Sequence, residues 1–260
     1  MRIIYFGNNR VGLTVLRWLT AQHEDTVGLV VHPAGTGSTK RERLRDELIA
    51  AAALPREQVF EAGDLREPTS IAALRALQPD IGLSVFFGYI LRPEVLSLFP
   101  QGCLNLHPAY LPYNRGEYPN VWSIVERTPA GATLHYMDKG VDTGDIVSRR
   151  EVAVLPTDSG QTLYSRLEDA CIALFKETWP HVKAGTATRT PQPGEGGTSH
   201  RAADVDRIDR IELDRSYTAR ELIDVIRART FPPYRGAYFV DGGQRVYLRL
   251  TLLTEQDSLS

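Results

Sequence analysis

Three side chains, Asn105, His107 and Asp142, have the types and spacing that could perform chemistry together. Asn105 and His107 alternate with apolar residues as in a β-strand, where alternate side chains share one face, roughly 7 Å apart. Pro108 cannot continue a central strand, so the strand is predicted to end with both polar groups at its C-terminal end. Asp142 lies in Val-Asp-Thr-Gly-Asp, a turn sequence that can return a carboxylate to the same place.

An amide, an imidazole and a carboxylate suit the transfer of an acyl group to an amine. The amide and a protonated imidazole can donate hydrogen bonds to a developing oxyanion, and the carboxylate can take up the proton of the attacking amine. Cys103 shares the face but lies deeper in the strand, so it is interpreted as a packing residue. The alternative is structural: His107 caps a strand, Asn105 satisfies buried backbone groups and Asp142 is an ordinary turn residue.

The elements that must position these residues alternate between strands and helices, which predicts an α/β fold with a Rossmann-like open sheet. Such sheets place their chemistry at the C-terminal ends of the strands. Predicted strands cover residues 2–6, 26–31, 59–61, 80–86, 102–107, 132–137 and 145–154. Predicted helices cover residues 11–19, 40–53, 70–77, 117–126, 159–183 and 218–228, and residues 32–38 are predicted as a loop.

The C-terminal part of the chain has a different character. Residues 185–199 are rich in Gly, Thr and Pro and are typical of a loop or linker. Asp241-Gly-Gly-Gln between residues 237–240 and 245–253 predicts a β-hairpin. We therefore expect a catalytic domain over residues 1–185 and a small helix-and-hairpin module over residues 186–260.

Composition narrows the class of protein. With 260 residues, 42% of them hydrophobic and 24% charged, the chain is typical of a globular protein. The net charge of −2 without a basic block gives no support for a nucleic-acid partner, and no apolar run approaches the roughly 20 residues of a membrane helix. The two cysteines lie in apolar segments without zinc spacing, so we expect reduced thiols, no metal and a cytoplasmic location.

The longer pattern around the three residues resembles the folate-dependent formyltransferase family. The resemblance rests on Asn-x-His-Pro-x-x-Leu-Pro-x-x-Arg-Gly from Asn105, followed by Gly131-Ala-Thr-Leu-His-Tyr-Met-Asp-Lys-Gly-Val-Asp-Thr-Gly-Asp. It covers approximately residues 1 to 185. It implies Asn105, His107 and Asp142 as catalytic residues and N10-formyltetrahydrofolate as the donor co-substrate. Tyr110-Leu-Pro-Tyr-Asn-Arg-Gly with Pro119-Asn-Val-Trp is similar to the nucleotide-sugar branch of the family.

The resemblance also implies binding residues for both substrates. Those expected to bind the folate donor, through main-chain groups and apolar side chains, are Phe87, Gly88, Tyr89, Ile90, Leu91, Leu104 and Val141. Those expected to bind the acceptor are Asn8, Asn9, Arg10, Tyr113, Asn114, Arg115, Tyr118 and Asn120. Read without the resemblance, residues 87–91 are a turn into a helix, and residues 7–12 are a turn at the start of another.

The expected function is that of a sugar N-formyltransferase acting on the amino group of a dTDP- or GDP-linked amino deoxysugar. One alternative is formylation of another amine, such as that of methionyl-tRNA. Another is a non-catalytic module that binds folate or nucleotide. Similarity to the sugar enzymes also implies a homodimer in which the C-terminal hairpin pairs with a second subunit, although the hairpin could instead dock on its own domain.

Overall fold

The computed structural model describes residues 1–35 and 39–256, without the side chains of residues 39–42. The predicted loop at residues 32–38 therefore lies partly outside the described residues. The strands are β1 (Ile3–Gly7), β2 (Thr26–Val31), β3 (Val59–Glu61), β4 (Ile81–Val85), β5 (Cys103–His107), β6 (Arg115–Gly116), β7 (Ala130–Tyr136), β8 (Ile146–Val152), β9 (Ser199–His200), β10 (Tyr238–Asp241) and β11 (Gln244–Tyr247).

Eight α-helices and three short 3-10 helices accompany these strands in the described ranges. The α-helices are α1 (Asn9–Ala21), α2 (Thr39–Ala52), α3 (Pro68–Ala76), α4 (Pro93–Leu96), α5 (Pro119–Val125), α6 (Gly160–Lys183), α7 (Asp206–Asp209) and α8 (Ala219–Ala228). The 3-10 helices are Arg56–Gln58, Ala62–Arg66 and Ala202–Val205. None of the helices within the described part of the chain is long and apolar enough to cross a membrane.

Seven strands form one sheet in the order β3-β2-β1-β4-β5-β7-β8. The pairs from β3 through β5 are parallel, whereas β7 runs antiparallel to β5. Every residue of β1 and β4 is buried, as expected for parallel strands that are covered on both faces. The predicted α/β fold class is confirmed, and the parallel strands bring the C-terminal ends of β1, β4 and β5 to one edge of the sheet.

The chain forms two compact units, each assembled from separated stretches of sequence. The first comprises residues 1–107, 133–149 and 171–192, and the second comprises residues 108–132, 150–170 and 193–260. A core that includes Phe6, Phe87 and Phe99 lies within the first unit, and a core that includes Trp122 and Leu163 lies within the second. These units do not test the predicted domain boundary after residue 185, which stays a prediction.

Three predicted boundaries shift where the backbone changes direction. β4 ends at Val85 because Phe86 has a φ of 53°. Helix α5 starts at Pro119 instead of residue 117 because Tyr118, with a φ of 56°, is left-handed. The second hairpin strand was predicted to reach residue 253, which is wrong: β11 ends at Tyr247, and the amide of Leu250 turns to the hydroxyl of Thr230 at 3.1 Å.

Candidate active site

Strand β5 carries Asn105 and His107 to the edge of the sheet as the sequence pattern predicted. The antiparallel pairing with β7 sets Asn105 opposite His135 and His107 opposite Thr133. His107 is buried and Asn105 is partly buried. The backbone pairing therefore fixes which side chains of β7 lie beside each of the two polar groups.

Asp142 reaches the same place on the loop that connects β7 and β8. Its φ of 54° is left-handed, a conformation that is uncommon for residues other than glycine but more accessible to Asp than to most. Asp138 braces the loop, since its Oδ1 accepts hydrogen bonds from Gly140 N at 2.9 Å and from Thr143 Oγ1 at 2.6 Å. A Cβ at Gly144 would lie 2.0 Å from the carbonyl oxygen of Tyr136, so the loop needs a glycine there.

The three side chains meet. Asn105 Nδ2 donates to Asp142 Oδ1 across 3.2 Å, and His107 Nε2 lies 3.6 Å from Asp142 Oδ2. Only 12% of the Asp142 side chain and 9% of the His107 side chain are exposed. In such a shielded position, charge on the carboxylate and the imidazole acts strongly on a nearby reacting group.

A fourth side chain, His135, contacts two members of this group. Its Nδ1 donates to the carbonyl oxygen of Tyr136 at 2.8 Å, so Nε2 of a neutral ring is an acceptor. This Nε2 lies 3.2 Å from Asn105 Nδ2 and 3.4 Å from Asp142 Oδ1. The sequence could not identify His135 as a partner of this group, because nothing in the sequence shows which residue of β7 pairs with Asn105.

The contacts among these four side chains restrict their rotation. The Asn105 amide has two hydrogens, and Asp142 and His135 are both within reach of them. The Asp142 carboxylate lies near the Nε2 atoms of two imidazoles, so a proton on either ring would be stabilised by the opposite charge. The arrangement can place a hydrogen-bond donor and a proton acceptor beside the same reacting atom.

Cys103 precedes Asn105 by two residues in β5 and is fully buried. Burial raises the pKa of its thiol well above the ordinary value, which disfavours the reactive thiolate. Its Sγ lies 3.6 Å from the Sδ of Met137. This environment is that of a packing residue, as interpreted from the sequence.

Four of the seven residues predicted to bind the donor, Gly88, Tyr89, Ile90 and Leu91, line a cavity of about 300 Å³. Its walls combine apolar side chains with two arginines, and they are formed by Ala62, Leu65, Arg66, Gly88, Tyr89, Ile90, Leu91, Arg92 and Val95. Ile90 is 83% exposed. The imidazole of His32 makes a short contact with the carbonyl oxygen of Phe87 and packs edge-on against Tyr89, with ring centroids 4.9 Å apart.

The other predicted donor residues differ in exposure. Phe87 is buried in the core, edge-on to Phe6 at 5.5 Å. Leu104 is fully buried in β5, and Val141, next to the left-handed Asp142, is 49% exposed. A ligand at the surface could therefore contact the Val141 side chain, whereas Phe87 and Leu104 support the backbone beside it.

The loop after β1 carries the first group of predicted acceptor residues. Asn9 has a φ of 57°, and its Oδ1 accepts hydrogen bonds from Val11 N at 2.8 Å and from Gly12 N at 3.3 Å. This side-chain oxygen therefore caps the first turn of α1. Asn8 is partly buried and Arg10 is exposed.

The second group of predicted acceptor residues divides into buried and accessible members. Asn114 is fully buried, and its Nδ2 donates to Ser123 Oγ and Thr128 Oγ1, each at 2.8 Å. Asn120 is also buried, and its Nδ2 donates to the carbonyl oxygen of Gly160 at 2.8 Å. Both amides are engaged inside the protein, and their predicted contacts with the acceptor stay predictions. The members with accessible surface are Tyr113, Arg115 and Tyr118.

No metal site is apparent within the described ranges, where no group of three or more His, Cys, Asp or Glu side chains is arranged to hold an ion.

Comparison with known proteins identifies similar sequences along most of the chain. The model of the formyl transferase family matches residues 1–178. The model of the N-formyltransferase dimerization C-terminal domain matches residues 204–255. The methionyl-tRNA formyltransferase of Symbiobacterium thermophilum is 34% identical over 242 residues, which are 92% of this chain and 72% of that protein.

Solved structures of other proteins are also similar to most of this chain. A 4-N formyltransferase from Francisella tularensis is 27% identical with a TM-score of 0.81, and the match covers 97% of this chain and 98% of that one. A formyltransferase from Anoxybacillus kamchatkensis was solved in complex with UDP-4,6-dideoxy-4-formamido-L-AltNAc and tetrahydrofolate. It is 29% identical with a TM-score of 0.57, and the match covers 80% of this chain and 89% of that one.

Proposed function

This chain belongs to the formyl transferase family, and we propose that it is a sugar N-formyltransferase. It moves a formyl group from N10-formyltetrahydrofolate to the amino group of a nucleotide-linked amino deoxysugar, with a dTDP- or GDP-linked sugar as the expected acceptor. The observation that carries the chemistry is the meeting of Asn105, His107 and Asp142 at the end of β5. We also propose a cytoplasmic location, because Cys103 and Cys171 are free thiols, as is usual in reducing compartments.

The reaction has two steps. The lone pair of the neutral sugar amine attacks the formyl carbon, and the carbonyl π electrons move to oxygen, which gives a tetrahedral oxyanion. The intermediate then collapses, the bond between the formyl carbon and N10 breaks, and N10 gains a proton as the amine nitrogen loses one. The products are a formamide and tetrahydrofolate.

Each of the three side chains has one task in these steps. Asn105 and a protonated His107 donate hydrogen bonds to the oxyanion, and loss of one such donor typically costs about 10²–10³ in rate. Asp142 accepts the amine proton and favours the charged form of His107. Because Asp142 and His135 lie within reach of the Asn105 amide, the oxyanion must take the place of one of these partners.

His135 acts as a positioning residue. Its own orientation is fixed by the hydrogen bond from Nδ1 to the carbonyl oxygen of Tyr136. Its Nε2 then lies within hydrogen-bond reach of the Asn105 amide and near the Asp142 carboxylate. The ring thus limits the rotation of both side chains before the substrate arrives.

The cavity beside residues 88–91 is suited to the donor. A flat heterocycle with a polar edge needs main-chain donors and acceptors next to apolar walls. Arg66 and Arg92 line the same cavity and complement the carboxylates of the donor's glutamate tail, because guanidinium groups bind carboxylates in a bidentate fork. The A. kamchatkensis relative bound to tetrahydrofolate supports a folate donor.

Two observations favour a sugar over a tRNA as the acceptor. The F. tularensis 4-N formyltransferase matches nearly the whole of both chains, whereas this chain covers 72% of the S. thermophilum methionyl-tRNA formyltransferase. The net charge of −2 also supplies no overall attraction for a polyanion. Methionyl-tRNA remains the second candidate acceptor because of the 34% identity to that relative.

A product assay tests the proposal. The purified protein is mixed with N10-formyltetrahydrofolate and, separately, with dTDP-, GDP- and UDP-linked 3-amino and 4-amino sugars and with methionyl-tRNA. We expect release of tetrahydrofolate and a mass gain of one formyl group on a nucleotide sugar, and neither product with the Asp142→Asn variant. Formylation of methionyl-tRNA alone would replace the sugar by the second candidate, and a lack of transfer to any amine would overturn both.

We also propose that the enzyme is a homodimer. The match of residues 204–255 to the dimerization domain supports this assembly. The hairpin of β10 and β11 leaves Val240, Val246 and Tyr247 between 38% and 40% exposed. Covering these apolar side chains by a second copy would remove them from water.

A further inference from the structure

We propose that residues 189–200, most of which were predicted from the sequence as a loop or linker, fix the backbone of two loops. One end of this segment holds the turn that carries Asp142, and the other end holds the loop of residues 112–117, which carries accessible residues predicted to bind the acceptor. The inference rests on the proposed function and assigns positioning roles to Gln192 and Thr198.

Gln192 fastens the Asp142 turn through its side-chain amide. Its Nε2 donates to the carbonyl oxygen of Asp142 at 2.8 Å and to that of Gly144 at 2.7 Å. Both amide hydrogens are therefore used on two peptide groups that flank Thr143. A carbonyl oxygen held in this way fixes the orientation of the peptide plane that follows Asp142.

Residues that precede Gln192 in the chain hold it beside the same turn. Thr190 and Ile146 exchange backbone hydrogen bonds at 2.8 and 2.9 Å. Arg189 Nε donates to Asp145 Oδ2 at 2.7 Å, and its guanidinium lies 4.1 Å from the centre of the Tyr136 ring. Backbone hydrogen bonds, an ion pair and a cation–π contact thus attach this end of the segment to the two ends of the loop that carries Asp142.

The backbone of Asp142 explains why the turn needs such support. Its φ of 54° is unusual for a residue with a side chain and persists only where the surroundings enforce it. A relaxed turn would swing the carboxylate away from Asn105 and His107. We therefore expect Gln192 to act on turnover, through the placement of Asp142, without touching either substrate.

Thr198 fastens the second loop through Asn114. The Thr198 hydroxyl accepts a hydrogen bond from Asn114 N at 2.8 Å and donates to Asn114 Oδ1 at 3.1 Å. The Thr198 carbonyl accepts from Arg115 N at 3.0 Å, and the Thr198 amide donates to the carbonyl of Pro112 at 3.3 Å. One threonine thus makes four hydrogen bonds to three residues of the loop.

Strand β9 continues this attachment through its pairing with β6. The amide of Glu117 donates to the carbonyl oxygen of His200 at 3.0 Å, and a Cβ at Gly116 would lie 2.3 Å from that same oxygen. The His200 ring in turn stacks on Trp122, with centroids 4.0 Å apart and an interplanar angle of 9°. The approach of the two strands is therefore too close for any residue but glycine at position 116.

The buried Asn114 passes this constraint to its neighbours. Its Nδ2 is held by Ser123 and Thr128, and its Oδ1 by Thr198. Tyr113 and Arg115, on either side of it in the chain, keep accessible surface. Thr198 thus fixes the backbone from which these two side chains project, and we expect it to act on acceptor binding.

The two ends of the segment should affect different kinetic constants. Gln192→Met removes the amide while keeping the length of the side chain, and it should lower kcat about tenfold to a hundredfold, as expected for a misplaced catalytic group. The KM values of both substrates should stay within about twofold, because binding contacts remain. A wild-type kcat for this variant would overturn the role of Gln192.

Thr198→Val should raise the acceptor KM about tenfold with a smaller effect on kcat and on the donor KM. Thr198→Ser, which keeps the hydroxyl, should restore the wild-type acceptor KM. Thr188→Val is the matched control, because the Thr188 hydroxyl makes only a 3.5 Å contact with the carbonyl oxygen of Val147. An unchanged acceptor KM in Thr198→Val, or a failure of Thr198→Ser to restore it, would overturn the role of Thr198.

Amide hydrogen exchange gives a readout that does not depend on the acceptor. In Thr198→Val, exchange at Asn114, Arg115 and Glu117 should accelerate, while exchange in the core strands β1 and β4 should stay at the wild-type rate. Wild-type exchange at the three loop amides would overturn the inference. If the wild-type protein formylated no nucleotide sugar, the proposed function would fail, and the exchange experiment would still decide whether Thr198 holds the loop.

Discussion

The side-chain amide of Asn105 donates to the carboxylate of Asp142 across 3.2 Å, although 37 positions of sequence separate the two residues. Two features of the backbone bring them together. Strand β7 returns antiparallel beside β5, and the left-handed Asp142 then turns its carboxylate back toward the end of β5. Strand pairing and one turn therefore bring the two side chains together, and a change to either should have a measurable effect on the proposed reaction.

Loss of any of the three central side chains should slow the reaction strongly. We expect Asn105→Ala, His107→Ala and Asp142→Ala each to lower turnover by at least about 10²-fold, because each removes a group that acts in the transition state. The effects should be far from additive in double variants, since the groups act as a unit. Near wild-type turnover in both the His107 and the Asp142 variants would contradict the mechanism.

Replacement of His135 should reduce turnover while leaving the substrates bound. His135→Phe keeps a ring in the buried site but removes the acceptor for the Asn105 amide, so kcat should fall about tenfold or more. His135→Gln places an amide oxygen near the same position and should recover part of the loss. Steady-state kinetics with both substrates would check this, and equal kcat values for the two variants would speak against a positioning role.

Arg10→Ala should raise the KM for the nucleotide sugar more than it lowers kcat. Arg10 is exposed in the first turn of α1, and a phosphate contact there would form in the ground state as well as in the transition state. The measurement is a pair of KM values, one for each substrate. An effect confined to the donor KM would assign the loop after β1 to the donor instead.

Arg92→Ala should weaken donor binding. A hydrogen bond between charged groups contributes about 1.5–3 kcal/mol, so the donor KM should rise about tenfold to a hundredfold, with little change in the acceptor KM. Arg220→Ala is a suitable control, because Arg220 is exposed on α8 and does not line the donor cavity. A donor KM that changes equally in both variants would show that the effect is one of net charge.

The assembly state should depend on the hairpin. Light scattering should give about twice the 29.0 kDa mass of the chain, and Val246→Arg should lower this value or cause aggregation, because it places a charge on an exposed apolar position. Gln244→Arg, in the same strand but polar to begin with, should leave the mass unchanged. A wild-type monomer at every accessible concentration would contradict the dimer and leave the chemistry untouched.

Local sequence patterns were sufficient to predict the elements that carry Asn105, His107 and Asp142. The period-two alternation of Asn105 and His107, ended by Pro108, predicted the strand and its C-terminal end correctly, because strand geometry repeats over two residues. The strands predicted over residues 2–6 and 80–86 likewise correspond to β1 and β4, which are buried along their whole length. The match of the formyl transferase family model to residues 1–178 confirms the resemblance drawn from the motif.

Contacts that depend on distant pairing could not be predicted in this way. The place of His135 beside Asn105 follows from the register of β5 and β7, which no local pattern specifies. The attachment of Thr198 to Asn114 joins residues 84 positions apart, and a segment rich in Gly, Thr and Pro gives no periodic signal. The hairpin strand was predicted too long because Leu248 and Leu250 continue the alternation after the pairing of β11 has ended.

The pairing of His107 with Thr133 makes these two residues cross-strand neighbours. The chain between them, residues 108–132, therefore leaves the sheet and rejoins it at adjacent points, like a long loop on a hairpin. The entropy cost of closing such a loop grows only logarithmically, by about 0.6 kcal/mol for each doubling of its length. Insertions, deletions or exchange of this stretch between homologous proteins should therefore spare the placement of Asn105 and His107, which makes residues 108–132 a natural unit for evolving or engineering acceptor choice.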